Sequence, residues 1–477
     1  MHINAMNMHI NAMKKTPLVW ITGSSTLILF TLSSLRHTLF QSNALDLGWF
    51  DQATYLISQG ETPIVSFAGA TGFHILGDHA AVIFYLLSLF YKIYPSVYWL
   101  FAIQAIALAS GGIFMWHLAR QARLTESLSL TMVAVYLLYP LVFNVNLFDF
   151  HPEVLAVPGL MGAVLAARAG QVVWFCLSLV LVLSCKAVLS LTVVAMGIWL
   201  LIFEKKRWCG AIALFAGIAW FMVATQWMIP TFNSGGVAAV SRYTGLGHSP
   251  LEIAKNVLTQ PWLVLGRIFT LPNLEYLALL FAPVVWGLSW QNSAPLLVIS
   301  PTLFLNLLAE YPAQKDLVHQ YSLPALPFLL LAVLATLTTD RGWLRNRKWM
   351  LLWVTVAFMA LAQYSSFASR SLQSLDTWQA TRAAITQVQT NGGILVPAQV
   401  APHLTHRPMV KLTTKGSETS NLSLIDYVML NFRHPGWASS PEVMAALRQR
   451  LEQMPEFQLS YHQEDVFLFE RKRHPLG

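Results

Sequence analysis

From Pro17 to about Phe367 the chain alternates long apolar runs with short polar interruptions, and from about residue 370 it changes to short alternating stretches. Most apolar runs are about 15 to 22 residues long, and a bilayer core needs roughly 20 residues of helix. The spacing therefore predicts membrane-spanning helices whose backbone polar groups are satisfied within each span. Candidate spans fall near 18–36, 97–118, 127–143, 154–167, 171–185, 188–203, 208–229, 273–290, 293–309, 321–338 and 349–366. Residues 80–94 are apolar but end early at Pro95, so they either span or lie in the interface. The interfacial option puts Lys14 and Lys15, Arg120 and Arg123, Arg168, Lys205 to Arg207 and the Arg341-to-Lys348 cluster all on one side. That agreement favours about eleven spans, a cytoplasmic N-terminus, and an outer placement for both the first loop, 37–96, and the chain beyond 368.

In the last part, 369–477, strand-like runs occur at Gly393–Val396, Met409–Leu412, Ile425–Leu430 and Val466–Glu470, with a helical stretch at Pro441–Gln453. The fold class expected is an all-α polytopic membrane bundle followed by a small extracytoplasmic α/β domain. Met1-His2-Ile3-Asn4-Ala5-Met6 recurs as Met8-His9-Ile10-Asn11-Ala12-Met13, which reads as a disordered cytoplasmic leader over 1–16. The first run lacks a small-residue cleavage site and reads as a retained helix.

Composition supports the membrane reading. The 477 residues are 55% hydrophobic and 11% charged, with mean hydropathy +0.53; soluble domains are about 25% charged. The net charge of +8 is accounted for by orienting Lys and Arg, so no nucleic-acid partner is expected. Cys176, Cys185 and Cys209 offer neither a disulfide framework nor a zinc spacing. No glycine-rich phosphate loop appears, so no nucleotide site is expected.

Sorting polar residues by expected side gathers acids, histidines and a few cations at the outer face. Ala44-Leu45-Asp46-Leu47-Gly48-Trp49-Phe50-Asp51-Gln52 places two carboxylates among aromatics where a span meets water. Residues 46–59 can form a surface helix, with Asp46 as its N-cap in the plainest reading. Five residues on a helix turn about 500°, so Asp46 and Asp51 point some 140° apart and take different jobs. His74, Asp78 and His79 follow in a glycine-broken loop and could hold a divalent cation, or simply hydrogen-bond within it. In Phe148-Asp149-Phe150-His151-Pro152-Glu153 an extended chain would show Asp149, His151 and Glu153 on one face as site candidates, although helix entry by itself explains Pro152 and Glu153 and leaves only Asp149 and His151 without a plainer reading. Lys186 interrupts two apolar runs, a functional candidate by default unless it snorkels. Lys315, Asp316, His319 and Tyr321 lie in a short outer loop that is either plainly solvated or uses its cations to hold a phosphate, and Arg242 in the long outer loop is a weaker case of the same kind.

These motifs, with Leu76-Gly77-Asp78-His79, the Tyr243-to-Pro250 loop and His319-Gln320-Tyr321, resemble a prokaryotic family of polytopic membrane proteins of unknown function. More distantly, the layout is similar to the GT-C superfamily of glycosyltransferases, including protein O-mannosyltransferases and lipid A aminoarabinose transferases. That resemblance implies a GT-C-like membrane domain over 17–368 in the plasma membrane and a polyprenyl-phosphate sugar as donor. It also implies an acidic residue of the first outer loop as base or acceptor-orienting group, carried over to Asp46 with Asp51 behind it. The expected partners are the lipid-linked sugar, membrane lipid, and an acceptor that is a glycan, lipid or protein; a divalent cation is a candidate cofactor. In the closer family Lys186 is commonly followed by an acidic pair, where this chain has Ala187 and Val188. A transporter or lipid flippase built on the same polar residues is the competing expectation; charges deep within several spans would favour it.

Overall fold

The computed structural model describes residues 17–69 and 71–472; the expected leader, 1–16, lies outside them. Among the described residues six helices are long and apolar enough to cross a membrane: Pro17–Thr38, Tyr98–Gln121, Glu126–Phe148, Arg207–Phe232, Pro312–Thr338 and Arg347–Ser369. A seventh candidate is the pair Pro261–Ile268 and Leu271–Gly287, bent by 61°. Shorter apolar helices are Ile83–Ile93, Val172–Cys185, Leu189–Ile202 and Leu296–Leu308. Breaks fall where the sequence withholds a helical hydrogen bond or adds a charge. Pro140 opens a new helix after Glu126–Leu137, because its ring removes a donor and crowds the preceding turn. Lys186 is extended between Val172–Cys185 and the helix that starts at Leu189.

The chain divides into two compact units. The first holds residues 17–31, Leu76–Ile83 and Phe101–Gln363 and is helical. Helices Leu189–Ile202 and Arg207–Val223 approach so closely that a Cβ on Gly197 would lie 2.7 Å from the backbone nitrogen of Leu214. Small residues at such crossings let apolar helices pack by dispersion where lipid offers no hydrophobic drive. Buried amides fasten the irregular parts. Asn144 donates to the carbonyls of Leu317 and Leu361 at 2.9 and 3.1 Å and accepts from the Gln363 N–H at 2.8 Å.

The second unit combines residues Leu32–Ile75, Phe84–Leu100 and Tyr364–Gly477, of which the last five are not described. Its five-stranded sheet runs in the order Val410–Leu412, Ile394–Val396, Tyr427–Asn431, Val466–Arg471, Phe457–Gln463. The first three strands are parallel and the last two are joined antiparallel. Helix Pro441–Gln453 starts on a Ser440 cap that accepts from the Val443 N–H, with Pro441 in its first turn. It lays Val443, Met444, Leu447 and Leu451 on a core with Leu395, Val428, Leu430, Phe467 and Phe469. The strand absent from the sequence expectation, Phe457–Gln463, is the edge. Only Phe457 of it is buried, so it lacks the apolar face that reveals a strand.

Most of the expected first outer loop, residues 37–75 and 84–96, packs within this second unit. The Gln52 side chain bridges Ser66 and the Arg407 carbonyl, each at 2.9 Å, and the Ser66 hydroxyl donates to the Val410 carbonyl and accepts from its N–H at 3.0 and 2.8 Å. A boundary drawn at 368 along the chain therefore differs from the packing, which places 32–75 and 84–100 with the C-terminal sheet.

Candidate functional site

The first unit encloses a cavity of about 510 Å³. Its wall is largely apolar, supplied by helices Leu189–Ile202, Arg207–Val223, Pro250–Thr259 and Leu296–Leu308. Charged and polar groups meet on it as Asp78, His79, Glu153, Lys186, Arg242 and Tyr321. Six sequence candidates, drawn from loops as far apart as residues 78 and 321, thus share one wall.

Each is positioned by a local feature. Gly77 lets the turn Leu76–His79 approach Phe232 and Asn233, where a Cβ would lie 2.9 Å from the Phe232 carbonyl oxygen. The His79 carbonyl then accepts from the Ala187 N–H at 2.8 Å, joining that turn to the break that carries Lys186. Lys186 donates to Glu153 Oε1 at 2.6 Å, and both side chains are buried, at 9% and 4% exposure. At that burial the pair is worth far more to break than a surface salt bridge. Arg242 lies over the rings of Tyr311 and Tyr321 at 5.2 and 5.1 Å, a cation–π arrangement. Its loop is clamped by Glu310, whose backbone N–H donates to the Arg242 carbonyl and whose carboxylate takes Thr244, Gly245 and Arg267. Asp78 and His79 pair at 3.1 Å. Burial raises the Asp78 carboxyl above its usual range despite Lys186 and Arg242 nearby, and burial, reinforced by Lys186, pushes the His79 imidazole well down. A neutral histidine beside a more basic carboxylate can pass or hold a proton next to two fixed cations.

The other candidates lie elsewhere. Asp149 and His151 are buried at the kink before Glu153: the His151 N–H donates to Gln104 at 3.4 Å and its ring stacks on Phe148. His319 is paired with Asp316 at 2.7 Å and edges Phe148. Lys315 is half-buried at the end of Pro312–Lys315 and is not part of the cavity wall; Arg242 stands there as the second cation instead. His74 belongs to the two-stranded hairpin of Ile64–Val65 with Phe73–His74 in the second unit, whereas Asp78 and His79 belong to the first. Among the described residues no group of three or more His, Cys, Asp or Glu side chains converges as a metal centre requires. Sequence reasoning passed over Asn306, Gln314 and Gln320, which also line the cavity. A neutral amide, within an apolar run at Asn306 or beside charged and polar neighbours at Gln314 and Gln320, carries no signal beyond its polarity.

Asp46 and Asp51 lie in the second unit with different surroundings. Asn43 caps the helical segment, accepting from the Leu45 N–H and donating to Asp46 at 2.8 Å, so Asp46 sits inside the first turn and is not the cap. The segment opens with a wide turn over Ala44–Gly48 before the regular helix Trp49–Gln59. Asp51 is 1% exposed and accepts from Tyr91 at 2.5 Å, from Thr405, and from His406 at 3.2 Å. Burial lowers the His406 imidazole, but the Asp51 carboxylate outweighs it and raises it overall. His403 stacks on His37, with ring centroids 3.9 Å apart, and burial pushes it down to about 4.

These two histidines oppose each other in pH. The raised His406 contributes stability that is full below its unfolded value near 6.5 and fades as pH rises through its folded value. The depressed His403 contributes stability that is full above about 6.5 and is lost as pH falls toward 4. His403, pushed down to about 4, has the larger effect, so acidification from pH 6.5 to 4 is expected to destabilise the second unit. In His403→Phe that acid limb should flatten while the alkaline limb remains. Melting temperature against pH for both proteins measures this; a wild-type curve unchanged by the substitution would reject the assignment.

A family model described as "Predicted membrane protein (DUF2079)" matches residues 36–468. No curated protein matches the chain in sequence. Among solved structures it is similar to ArnT from Cupriavidus metallidurans in the apo state, at 12% identity and TM-score 0.50, covering 94% of this chain and 97% of that one. The same protein bound to undecaprenyl phosphate gives 12% identity and TM-score 0.49, with 95% and 98% covered. The arabinofuranosyltransferase AftD from Mycobacteria gives 12% identity and TM-score 0.47, with 96% of this chain and 40% of that one covered. The likeness to apo ArnT, at 12% identity, is one of fold.

Proposed function

We propose, for a chain that belongs to the family of predicted membrane proteins DUF2079, that it is an integral-membrane glycosyltransferase. It would move a sugar from a polyprenyl-phosphate donor to an acceptor hydroxyl at the outer face of a prokaryotic plasma membrane. The observation that carries this reading is the cavity: an apolar wall broken by one cluster in which Lys186 and Arg242 stand beside Asp78, His79 and Glu153. A polyprenyl chain needs apolar surface and its phosphate needs fixed cations. Arg242 offers a planar fork for phosphate oxygens and Lys186 a point charge. In this scheme the two cations hold the donor phosphate and stabilise it as it leaves. Asp46, carried over from the resemblance, takes the proton of the acceptor hydroxyl as that oxygen attacks the anomeric carbon. An eleven-span topology adds Glu153–Ala169, Val172–Cys185, Leu189–Ile202 and Leu296–Leu308 to the seven candidates above and leaves Ile83–Ile93 in the interface.

Mass spectrometry of lipid-linked sugars and envelope glycans in a deletion strain tests the reading. Accumulation of a polyprenyl-phosphate sugar with loss of one glycan modification is expected, restored by the wild-type gene. Unchanged pools of both would sink it. A lipid-linked sugar trapped on the cytoplasmic leaflet would favour the flippase reading, for which the buried Lys186–Glu153 pair is the supporting observation.

A further inference from the structure

Two buried acceptors on the cavity wall have no hydrogen-bond donor among the described residues. Glu153, 3% exposed, gives one carboxylate oxygen to Lys186 at 2.6 Å and leaves Oε2 without a donor. Gln320, 4% exposed, leaves Oε1 in the same position. Both side chains line the same cavity. Buried acceptors are almost always paired, and one left unpaired costs free energy unless a ligand or water supplies the donor. Two such atoms on one wall, beside the cations assigned to the donor phosphate, mark a place where a ligand's own donors fit.

We propose that Glu153 and Gln320 form a hydroxyl-binding subsite for the sugar of the lipid-linked donor, and that this sugar is neutral. The proposal rests on the glycosyltransferase reading and names the substrate chemistry of that cavity. Glu153 keeps its charge balanced by Lys186, so its second oxygen can take a sugar O–H without bringing in another charge. An ammonium at the same oxygen would stand against Lys186, with Arg242 on the same wall, and like charges at close range in a poorly solvated cavity repel strongly. Gln320, being neutral, accepts from a second hydroxyl and adds no charge. The carboxylate bond is the stronger of the two, because hydrogen bonds to a charged acceptor exceed neutral ones.

The test measures binding of three synthetic lipids to the purified full-length protein in detergent, by native mass spectrometry. The lipids are a polyprenyl phosphate, a polyprenyl-phosphate hexose and a polyprenyl-phosphate aminohexose. Wild type should prefer the hexose form to the sugar-free lipid by about tenfold, the effect of one good hydrogen bond to a charged group. Glu153→Gln should lose most of that preference and Gln320→Leu a smaller part of it, and Gln320→Leu should still bind the sugar-free phosphate as wild type does. Because Glu153→Gln touches the Lys186 pair, Gln320→Leu serves as the variant that leaves the pair intact. Full preference for the hexose form in both variants overturns the subsite. Binding of the aminohexose form as tight as the hexose form overturns the neutral-sugar assignment. If none of the three lipids binds wild type, the glycosyltransferase reading fails, and the subsite with it.

Discussion

Lys186→Met is expected to abolish transfer and also to destabilise the first unit, and the two effects can be separated. Removing the ammonium leaves the Glu153 carboxylate buried with neither of its oxygens paired, since Oε2 has no donor and Oε1 loses its only recorded one. Breaking one side of a buried pair costs about 3 to 5 kcal/mol. The rate effect follows from the phosphate: losing one preorganised charge that stabilises a leaving group lowers the rate about 10²- to 10³-fold. The double substitution Lys186→Met with Glu153→Gln removes the orphaned charge. It should regain most of the stability, as replacement of a whole buried pair often does, and regain no activity. Thermal melting in detergent and a lipid-linked sugar transfer assay provide the two readouts. Activity returning together with stability would mean that Lys186 is only a structural partner of Glu153. Arg242→Lys adds a milder comparison: it keeps the charge but loses the fork and the stacking on Tyr311 and Tyr321.

Much of this arrangement was legible residue by residue, and little of it as an arrangement. Apolar runs gave away the helices because a span in lipid has few other options. Lys186 stood out because a charge between two apolar runs is expensive without a reason. Glu153 was hidden by a sufficient local explanation: as the first residue after Pro152 it suits a helix N-terminus, and nothing local announces a partner 33 positions along the chain. Arg242 looked like one more loop cation because its restraints, Glu310 and the two tyrosines, come from residues about 70 to 80 positions away. Lys315 had the same appearance and a shorter loop, yet only Arg242 is on the cavity wall. The C-terminal sheet was readable where strands were buried and not at its edge. Its association with residues 32–75 depends on Gln52 and Ser66, polar residues whose pairing no periodicity encodes.

Asp46→Asn and Asp51→Asn should separate in a purified-protein comparison. Asp51 is enclosed by three donors, Tyr91, Thr405 and His406, taken from segments far apart in sequence. Asparagine there presents an N–H₂ to hydroxyls already donating, and removes the charge that raises the His406 imidazole. The expected loss is about 2 to 4 kcal/mol, in line with breaking a buried charged hydrogen-bond cluster. It should come with an earlier, broader melt of the second unit and little alkaline dependence. Asp46 has a milder setting: it is partly exposed, and the recorded Asn43 bond at 2.8 Å can be kept by the asparagine oxygen. Its substitution should leave the melting temperature within a degree or two while lowering kcat about 10²- to 10⁴-fold, the scale of general-base help. Equal activity loss with unchanged melting in both variants would move the base from Asp46 to Asp51. Full activity in Asp46→Asn would remove Asp46 from the chemistry and leave Asp78, already on the cavity wall with Lys186 and Arg242, as the carboxylate to test next.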